Sequence, residues 1–427
     1  MNKNNELIGS LKNGLTYYLS KNKFKKNAQL FLIIKAGSIN ENKKENGIAH
    51  LLEHMCLSYE KYCNDGEFLK NNLINIEPNQ FDYSGYTDFD KTVLCIKSRE
   101  NNCYTIMDGI CILSEIVKGN ILKEDIFETI KRDVIDECNH FREENLLKEK
   151  MVSFLTNNKI TNLPMGNIDD ISNMKFQDLL RFHNENFIPS EVGIIIQGNI
   201  NLIKTQEFIS GKFDSIKDNK KIREEKHNIK HSSNDRLLIL NERKNKFIEI
   251  KFFYKFSSAE LTIKDKLIKY FFENMIKNYV GCKFELYNLN IKRLVCSDKI
   301  IKHDFKFFIL SYTIDKIKDS VEYFTNIINE LKKNGFNKTE YQLEKNKLKN
   351  IMKQIYNEST IPSVDEIYES YFYNFLYNEP IFQIKKDYDL ILSIIGKITI
   401  EDINNFMISL LNNCYNMIIS QKDDFYN

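Results

Sequence analysis

The chain has 427 residues, of which 61 are lysine or arginine and 59 are aspartate or glutamate. This near balance of charge excludes a global electrostatic field that would attract nucleic acid or an anionic membrane surface. The length suffices for two or three domains of about 100–200 residues each, so a large buried core is expected.

Nine cysteines are scattered along the chain, an odd number without a C-x-x-C pair. This is not the pattern of a disulfide framework, and it favours a reducing compartment. The opening MNKNNELIGSLKNG lacks the apolar core of a secretory signal. No run approaches about 18 consecutive apolar residues, so no membrane span is expected. The sequence therefore predicts a cytoplasmic protein with neither a nucleic-acid nor a membrane partner.

The first half mixes strands and helices. Residues 28–36, AQLFLIIKA, predict a buried strand, and a helix is predicted to begin after a glycine, at about Ile48. Residues 86–97 are rich in β-forming residues and partly alternate, which predicts a further strand. The remaining predictions for this half are helices over about 103–118, 123–147 and 174–187, and a closing strand, VGIIIQG, over 192–198.

The amino-acid composition changes at 211–235, where large apolar residues are almost absent. Such a stretch is typical of a linker. We therefore predict an N-terminal domain at 1–212, a linker at 213–235 and a C-terminal domain at 236–427. The second half repeats the order of elements, with strands near 236–256, a helix near 264–280, a strand at 305–314, helices near 316–333 and 338–356, and a last strand at 415–420.

One local echo supports an internal duplication. KGNILKEDIFETIKRD at 118–133 resembles KNGFNKTEYQLEKNK at 333–347 in its turn, its lysine and its helical start. A repeat of about 200 residues indicates two similar units rather than a solenoid. Because strands and helices do not strictly alternate, the predicted fold class is α+β. We expect two similar α/β sandwich-like domains, each a mostly antiparallel sheet covered by helices.

The segment NGIAHLLEHMC at 46–56 contains His50, Glu53 and His54. On a helix the two histidines lie about 40° apart around the axis, and Glu53 lies about 60° to the other side of His50, so the three share one face. Neutral imidazoles are zinc ligands, and a catalytic zinc usually has three protein ligands and a water. A carboxylate beside the zinc can take the proton of that water. The H-x-x-E-H spacing is that of the inverted zinc-peptidase motif.

A third zinc ligand must come from elsewhere, and the charged helix predicted around FETIKRDVIDECNHFREE (127–144) offers several groups. We choose Glu137, and Cys138, Asp133 and Glu128 are its alternatives. Most glutamates on such a helix are solvated, so the pattern alone does not decide.

Two other histidines receive structural interpretations. His183 is interpreted as a structural residue. His140, one turn beyond Glu137, is interpreted as solvated, with a contact to a zinc ligand as the alternative.

Several segments, in this order, resemble the M16 (pitrilysin/insulinase) family of zinc peptidases, especially its shorter subunits related to mitochondrial processing peptidase. The second half resembles the family only in length and pattern. The segments that carry the resemblance are LKNGLTYYLSKN (11–22), KAGSINENKKENGIAHLLEHM (35–55), GYTDFDKTVL (85–94) and FHNENFIPSEVGIIIQGNI (182–200).

The resemblance implies that His50 and His54 bind Zn²⁺ and that Glu53 is the base. It places the distant ligand near position 137. An ungapped match of KRDVI puts Cys138 in the ligand position and Lys131 where a supporting glutamate is usual. Glu137 keeps the ligand chemistry of the family at the cost of a one-residue shift.

The segment at 85–94 resembles the edge strand on the substrate side of the family. An exposed strand edge can bind an extended peptide by adding it as a further strand. We therefore expect Gly85, Tyr86 and Thr87 to contact a peptide substrate.

Family members often carry an arginine, with a tyrosine seven residues later, in the C-terminal half, where they polarise the substrate carbonyl. Here Tyr287 and Leu294 stand at about those positions, and Met352 falls near the site equivalent to Glu137. Two family domains form half of a closed chamber, so the resemblance implies a dimer. The missing pair favours a heterodimer with a zinc-less sister chain over a homodimer.

The expected function is that of a zinc-dependent endopeptidase that cleaves peptides or unfolded segments, which fits the processing of a precursor or leader peptide. The alternative is a metal-binding subunit that is inactive or partner-dependent and that binds or presents peptide. The intact His50, Glu53 and His54 favour the first interpretation, and the missing arginine–tyrosine pair favours the second.

Overall fold

The structure is a computed structural model of the chain. It describes residues 5–22, 26–58, 80–219, 236–241, 247–256, 262–302, 305–315, 319–357, 364–381, 383, 386–413 and 415–421. These residues form two compact units, one within 1–153 and 157–226 and the other within 154–156 and 227–427. Of the predicted linker at 213–235, residues 220–235 lie outside the described residues, so its boundaries stay a prediction.

The first unit contains a six-stranded sheet and its helices. Its strands are β1 (Glu6–Ser10), β2 (Thr16–Lys21), β3 (Gln29–Ile34), β4 (Phe81–Thr87), β5 (Thr92–Ser98) and β6 (Val192–Gly198). Its helices are α1 (Ile48–Leu57), α2 (Cys103–Lys118), α3 (Glu124–His140), α4 (Arg142–Thr156), α5 (Ile168–Asn173), α6 (Phe176–Asn186) and α7 (Leu202–Phe213).

The second unit contains a five-stranded sheet and its helices. Its strands are β7 (Arg236–Asn241), β8 (Ile248–Phe256), β9 (Ile291–Lys302), β10 (Phe305–Ile314) and β11 (Tyr415–Gln421). Its helices are α8 (Ile263–Leu286), α9 (Ser320–Asn334), α10 (Lys338–Asn357), α11 (Val364–Tyr377), α12 (Tyr388–Lys397) and α13 (Ile400–Leu411).

The two sheets have the same topology. The first has the strand order β1-β2-β6-β3-β5-β4 and the second the order β7-β11-β8-β10-β9. In each sheet only one described pair is parallel, β2 with β6 in the first and β7 with β11 in the second. Apart from the extra β1, the strands therefore correspond one to one. The prediction of an α+β fold with two similar units is confirmed.

Each unit has its own apolar core between its sheet and its helices. In the first, all seven residues of the central strand β6 are buried. A strand that is buried on both faces reads as a continuous apolar run, which is why VGIIIQG was recognisable in the sequence. In the second unit, β8 and β10 pack against α8, with Phe252, Phe271 and Tyr312 fully buried.

Two local predictions were wrong in detail, and two strands were missed. The strand predicted over 86–97 is the end of β4, a turn and the start of β5, because Lys91 folds back to bond Asp88 and Asp90 in that turn. The helix predicted over 123–147 is broken at Phe141, which ends α3 and precedes α4. Strands β1 and β9 were not predicted, because both lie at sheet edges and are only partly buried.

The internal echo at 118–133 and 333–347 marks equivalent turns. Gly119 follows α2 with a φ of 76° and Gly335 follows α9 with a φ of 69°. A positive φ favours glycine at both positions, although only Gly119 has the left-handed helical conformation. Both turns lead into the next helix, α3 or α10. No helix in the described part of the chain combines the length and the apolarity needed to cross a bilayer.

Candidate metal centre

Helix α1 carries the H-x-x-E-H segment on one face and core residues on the other. Leu51, Leu52 and Met55 are fully buried in the core of the first unit. His50 and Glu53 are also shielded from solvent, with 7% and 4% of their surface exposed. The helix face with the polar residues therefore forms the floor of a cleft rather than a solvated surface.

The N-terminus of α1 is capped from a distance. Its own N-cap residue, Gly47, has a φ of 107° and no side chain to cap the helix. The carboxylate of Glu41 accepts hydrogen bonds from the backbone N–H groups of Gly47 and Ala49 at 3.1 Å and from the Asn46 amide at 2.8 Å. Burial raises the pKa of Glu41, and these donors oppose the rise. A carboxylate here also complements the positive end of the helix dipole.

Three ligand atoms from α1 and α3 converge at one end of this cleft. The His50 and His54 Nε2 atoms are 3.1 Å apart, and Glu137 Oε2 lies 3.8 Å from the first and 3.2 Å from the second. We call these three side chains the His–His–Glu group. Around a tetrahedral zinc with bonds of ~2.0–2.1 Å, ligand atoms stand roughly 3.3 Å apart, so the spacing of the group fits such an ion.

The protonation of both histidines also fits metal binding. His50 Nδ1 lies 3.2 Å from the backbone oxygen of Met165, to which it donates, so Nε2 keeps its lone pair. Burial, together with His54, lowers the pKa of His50 to about 4. Burial also lowers the pKa of His54, against the effect of Glu137 and Asp133. Neutral imidazoles are the form that binds a metal.

Glu53 lies beside the His–His–Glu group and contacts strand β4. Its Oε2 accepts a hydrogen bond of 2.8 Å from Thr87 Oγ1. Burial raises the pKa of Glu53 to about 7, with Thr87 lowering it and Glu137 raising it. A carboxyl group with a pKa near neutrality can both take and return a proton. A Cβ on Gly85 would stand 3.0 Å from Glu53 Oε1, so the glycine leaves room for the carboxylate.

Strand β4 forms one wall of the cleft and is the last strand of its sheet. Tyr86 is 44% exposed there. The opposite wall comes from α4 and from the segment that precedes α5, and includes Phe141, Lys148, Pro164 and Met165. The cleft has a volume of ≈ 510 Å³, and Gly85, Tyr86 and Thr87 line it together with the His–His–Glu group.

The alternative third ligands lie outside the group. The Cys138 thiol points to the Met165 backbone oxygen at 3.2 Å and is buried in the core. Glu128 bonds Lys131 at 2.8 Å, and Asp133 is exposed. The structure thus brings Glu137, and not Cys138, to the two histidines.

The remaining histidine interpretations agree with the contacts in the structure. His183 is buried and bonds the Ile116 backbone oxygen at 2.9 Å, as a structural residue would. His140 is exposed and lies against the ring of Phe141.

The second unit has α8 where the first has α1, with a different set of polar residues. Lys269 pairs with Glu273 at 3.5 Å and also with Asp298 of β9. Among the residues that the structure describes, His50, His54 and Glu137 form the one group able to hold a metal ion.

Tyr287 and Leu294, which stand at about the positions of the arginine–tyrosine pair by sequence, lie in the second unit. Tyr287 ends α8 and stacks on Tyr323 with ring centroids 4.6 Å apart, and Leu294 lies in β9. Met352, expected near the counterpart of Glu137, lies in α10 and packs against the core.

Sequence reasoning missed two supports of the site. The Met165 carbonyl orients His50, and Glu41 caps α1. The first carried no signal, because a backbone atom supplies the contact. The second carried none either, because Glu41 lies six residues before Gly47 and not at the N-cap position where capping residues are recognised.

The fold, with an inverted zinc-peptidase segment beside a sheet edge, defines the class of a metallopeptidase-like α+β protein. Residues 17–167 match the family described as Insulinase (Peptidase family M16), and residues 173–348 match the Peptidase M16 inactive domain. The chain belongs to peptidase family M16.

Named relatives share part of the chain. The chain is 27% identical over 203 residues to the probable zinc protease PqqL of Haemophilus influenzae. The matched region is 45% of this chain and 21% of that protein. The chain is 28% identical over 191 residues to the zinc protease PqqE of Helicobacter pylori. This matched region is 44% of this chain and 41% of that protein. The matches thus span about one fifth to two fifths of these relatives.

Solved structures extend the likeness in fold to the whole chain. The first half of the periplasmic protease PqqL of Escherichia coli has a TM-score of 0.83 at 17% identity, covering 99% of this chain and 92% of that one. Against the complete PqqL structure, this chain covers 48%.

Proposed function

We propose that this chain is the zinc-bearing part of an endopeptidase that cleaves extended peptides or unfolded segments. The observation that carries the proposal is the convergence of the His50 and His54 Nε2 atoms with Glu137 Oε2, beside Glu53 and strand β4. Membership of a peptidase family and the zinc proteases among the relatives support it.

In this proposal His50, His54 and Glu137 hold the zinc ion. When bound, the ion lowers the pKa of a water molecule to near 7 and polarises a carbonyl oxygen. Glu53 takes the proton of the attacking water and passes it to the nitrogen of the departing amine. Thr87 holds Glu53 in place through the hydrogen bond to Oε2.

The substrate class follows from β4. An extended peptide can add to the edge of β4 through main-chain hydrogen bonds, which are independent of its sequence. Gly85, Tyr86 and Thr87 would then hold the peptide over Glu53, because all four line one cleft. A folded protein seldom offers a free extended segment, so peptides, leader segments and unfolded chains are the proposed substrates.

The test is the substitution Glu53→Gln, with Glu144→Gln as the matched control. Both residues line the cleft, and the proposed role as base belongs to Glu53, whose Oε2 accepts the hydrogen bond from Thr87. Glu53→Gln is expected to keep one zinc per chain and to lower peptide hydrolysis by roughly 10²–10⁴-fold. Glu144→Gln is expected to stay within a few-fold of the wild type. Undiminished cleavage by Glu53→Gln would contradict the proposed base.

We further propose that the chain acts with a second family chain. It covers 48% of the complete PqqL structure, and the second unit lacks the arginine–tyrosine pair at Tyr287 and Leu294. A zinc-less sister chain that supplies the pair is favoured over a second copy. The chain alone is then expected to cleave test peptides slowly, and addition of the sister chain to raise the rate by at least tenfold. If the sister chain does not raise the rate, the proposal of a two-chain enzyme is contradicted. The alternative, a subunit that binds zinc and peptide without cleaving it, is then favoured.

A further inference from the structure

Two buried lysines occupy the same position in the two units. Lys131 is the eighth residue of α3 and Lys345 the eighth residue of α10. Each has 8% of its surface exposed. Lysine is seldom buried so fully unless its ammonium group is paired, so both call for a set of partners.

Each ammonium group bonds one side-chain oxygen of its own helix, Glu128 Oε1 at 2.8 Å for Lys131 and the Tyr341 hydroxyl at 2.6 Å for Lys345. Each also bonds two backbone oxygens, and these correspond in the two units. Lys131 Nζ lies 3.2 Å from the Met174 oxygen and 3.5 Å from the Ser172 oxygen. Lys345 Nζ lies 3.0 Å from both the Ile398 and the Gly396 oxygens.

The acceptors in both units are carbonyl groups at the end of a helix. Met174 is the C-cap residue of α5 and Ile398 that of α12. Carbonyls at a helix C-terminus lack partners within the helix, and a cation complements the negative end of its dipole.

Each lysine also lies over an aromatic ring four residues earlier in its own helix. The distance from Nζ to the ring centroid is 5.2 Å for Phe127 and 5.1 Å for Tyr341. Cations at this distance from a ring face are attracted to it. The device is thus the same in both units: a lysine that anchors its helix to the C-terminus of a second helix.

In the first unit, the Lys131 anchor is part of a chain of contacts that connects α3, which carries Glu137, to α1, which carries His50 and His54. Helix α5 bonds the chain just before α1, since Asp170 Oδ2 accepts from the Asn46 N–H at 3.2 Å and the Asn167 N–H donates to the Asn46 oxygen at 3.1 Å. At its other end, α5 receives Lys131 of α3. Helix α5 therefore ties the helix with His50 and His54 to the helix with Glu137.

We propose that Lys131 is a positioning residue of the metal centre, which aims Glu137 at His50 and His54 through α5. This inference rests on the proposed zinc site. Lys131 and Glu137 are six residues apart, about 120° around the helix axis, so the anchor holds one side of α3 while Glu137 projects from another. Loss of the anchor frees α3 to turn or slide, and small displacements of a ligand weaken a metal site.

Lys345 provides a control within the same chain. It makes the same kind of anchor in α10, and Ile351 is at the place that corresponds to Glu137 when the two helices are counted from their first residues. Its loss should therefore affect stability without affecting zinc.

The experiment compares Lys131→Met and Lys345→Met in the full chain, by thermal unfolding of the metal-free protein and by zinc affinity in competition with a chromophoric chelator. Both variants are expected to unfold at a lower temperature than the wild type. Zinc affinity is expected to fall by roughly 10–100-fold in Lys131→Met, as for residues that orient metal ligands, and to stay within about twofold in Lys345→Met.

Three outcomes would overturn the inference. One is Lys131→Met with the zinc affinity of the wild type, which would reduce the lysine to a structural role. Another is an equal loss of affinity in Lys345→Met. If Lys131→Met does not fold, Lys131→Gln, which keeps N–H donors, takes its place in the experiment. Wild-type zinc affinity in Lys131→Gln would also overturn the inference. Absence of zinc binding by the wild type overturns the proposed function together with the inference, which separates the two failures.

Discussion

The two units share a sheet topology but differ in the helix that packs beside the edge strand. In the first, α1 has ten residues and buries two of the three polar residues of its H-x-x-E-H segment almost fully. In the second, α8 has 24 residues and buries apolar side chains such as Phe271, Phe272 and Met275. The order of strands and helices therefore fixes the fold in both units, and one turn of one helix makes the difference in chemistry.

The comparison also shows where the molecule accepts an energetic cost. Glu53 is buried with its pKa raised, and His50 is buried with its pKa lowered. Both shifts mean that the folded state disfavours the charged form. The polar residues at the matching place of the second unit, Lys269 and Asp298, form ion pairs that keep contact with solvent. A functional site is commonly maintained against such a cost.

The largest expected difference between the units follows from removing one ligand. His54→Ala takes away one of three zinc ligands, so zinc content should fall below one tenth per chain and hydrolysis by at least roughly 10³-fold. Lys269→Ala, its counterpart on α8 by helix position, removes a partly exposed ion pair worth about 1 kcal/mol or less and should leave zinc in place. Metal analysis and peptide hydrolysis measure both. If His54→Ala keeps its zinc, His54 is not a required ligand, and the two variants no longer differ in zinc content.

The second prediction concerns the pH dependence of stability in the metal-free protein. The Glu53 pKa is about 7 in the folded state against 4.5 for the ordinary group, so the folded state holds the proton more tightly than the unfolded chain. The free energy of unfolding should therefore fall as pH rises from about 4.5 through 7, by up to about 3 kcal/mol from this group. Glu53→Gln should lack that part of the decline. The free energy of unfolding would be measured by urea titration from pH 5 to 8. An equal decline with pH in the wild type and in Glu53→Gln would contradict the prediction.

The smallest predicted effect compares how the two helices are capped. Helix α1 depends on the distant Glu41, whereas α8 is capped locally by Thr262 and Asp265. Glu41→Ala leaves buried N–H groups without an acceptor and should cost about 2 kcal/mol, and zinc affinity should fall with it. Thr262→Ala should cost about 1 kcal/mol and leave zinc affinity unchanged. Equal zinc affinity in the two variants would show that the cap of α1 has no influence on the site.

The part of the site that the sequence predicts is the part held within one helix. His50, Glu53 and His54 follow from the geometry of a single turn, so their convergence needs no knowledge of the rest of the fold. Glu137 is different, because a neighbouring residue such as Cys138 lies about 100° away around α3 and only the packing of α3 decides between them. The spacing in the sequence left both open, and the structure favours Glu137.

Edge strands and supporting contacts were beyond sequence reasoning for a physical reason. Strands β1 and β9 are half-exposed, so they lack the alternation or the apolar run that reveals a strand. The contacts of Met165 with His50 and of Met174 with Lys131 use backbone oxygens, which every residue type supplies. The cytoplasmic location stays a prediction.

In each sheet, the strand that comes last in the chain lies between two strands that come earlier. Strand β6 lies between β2 and β3, and β11 between β7 and β8. During synthesis, neither sheet can be completed by adding strands at its margin, because the gap persists until residues 192–198 or 415–421 have left the ribosome. Pairings so distant along the chain form slowly. Until then the flanking strands expose unpaired edges, which makes the nascent chain a candidate for chaperone binding.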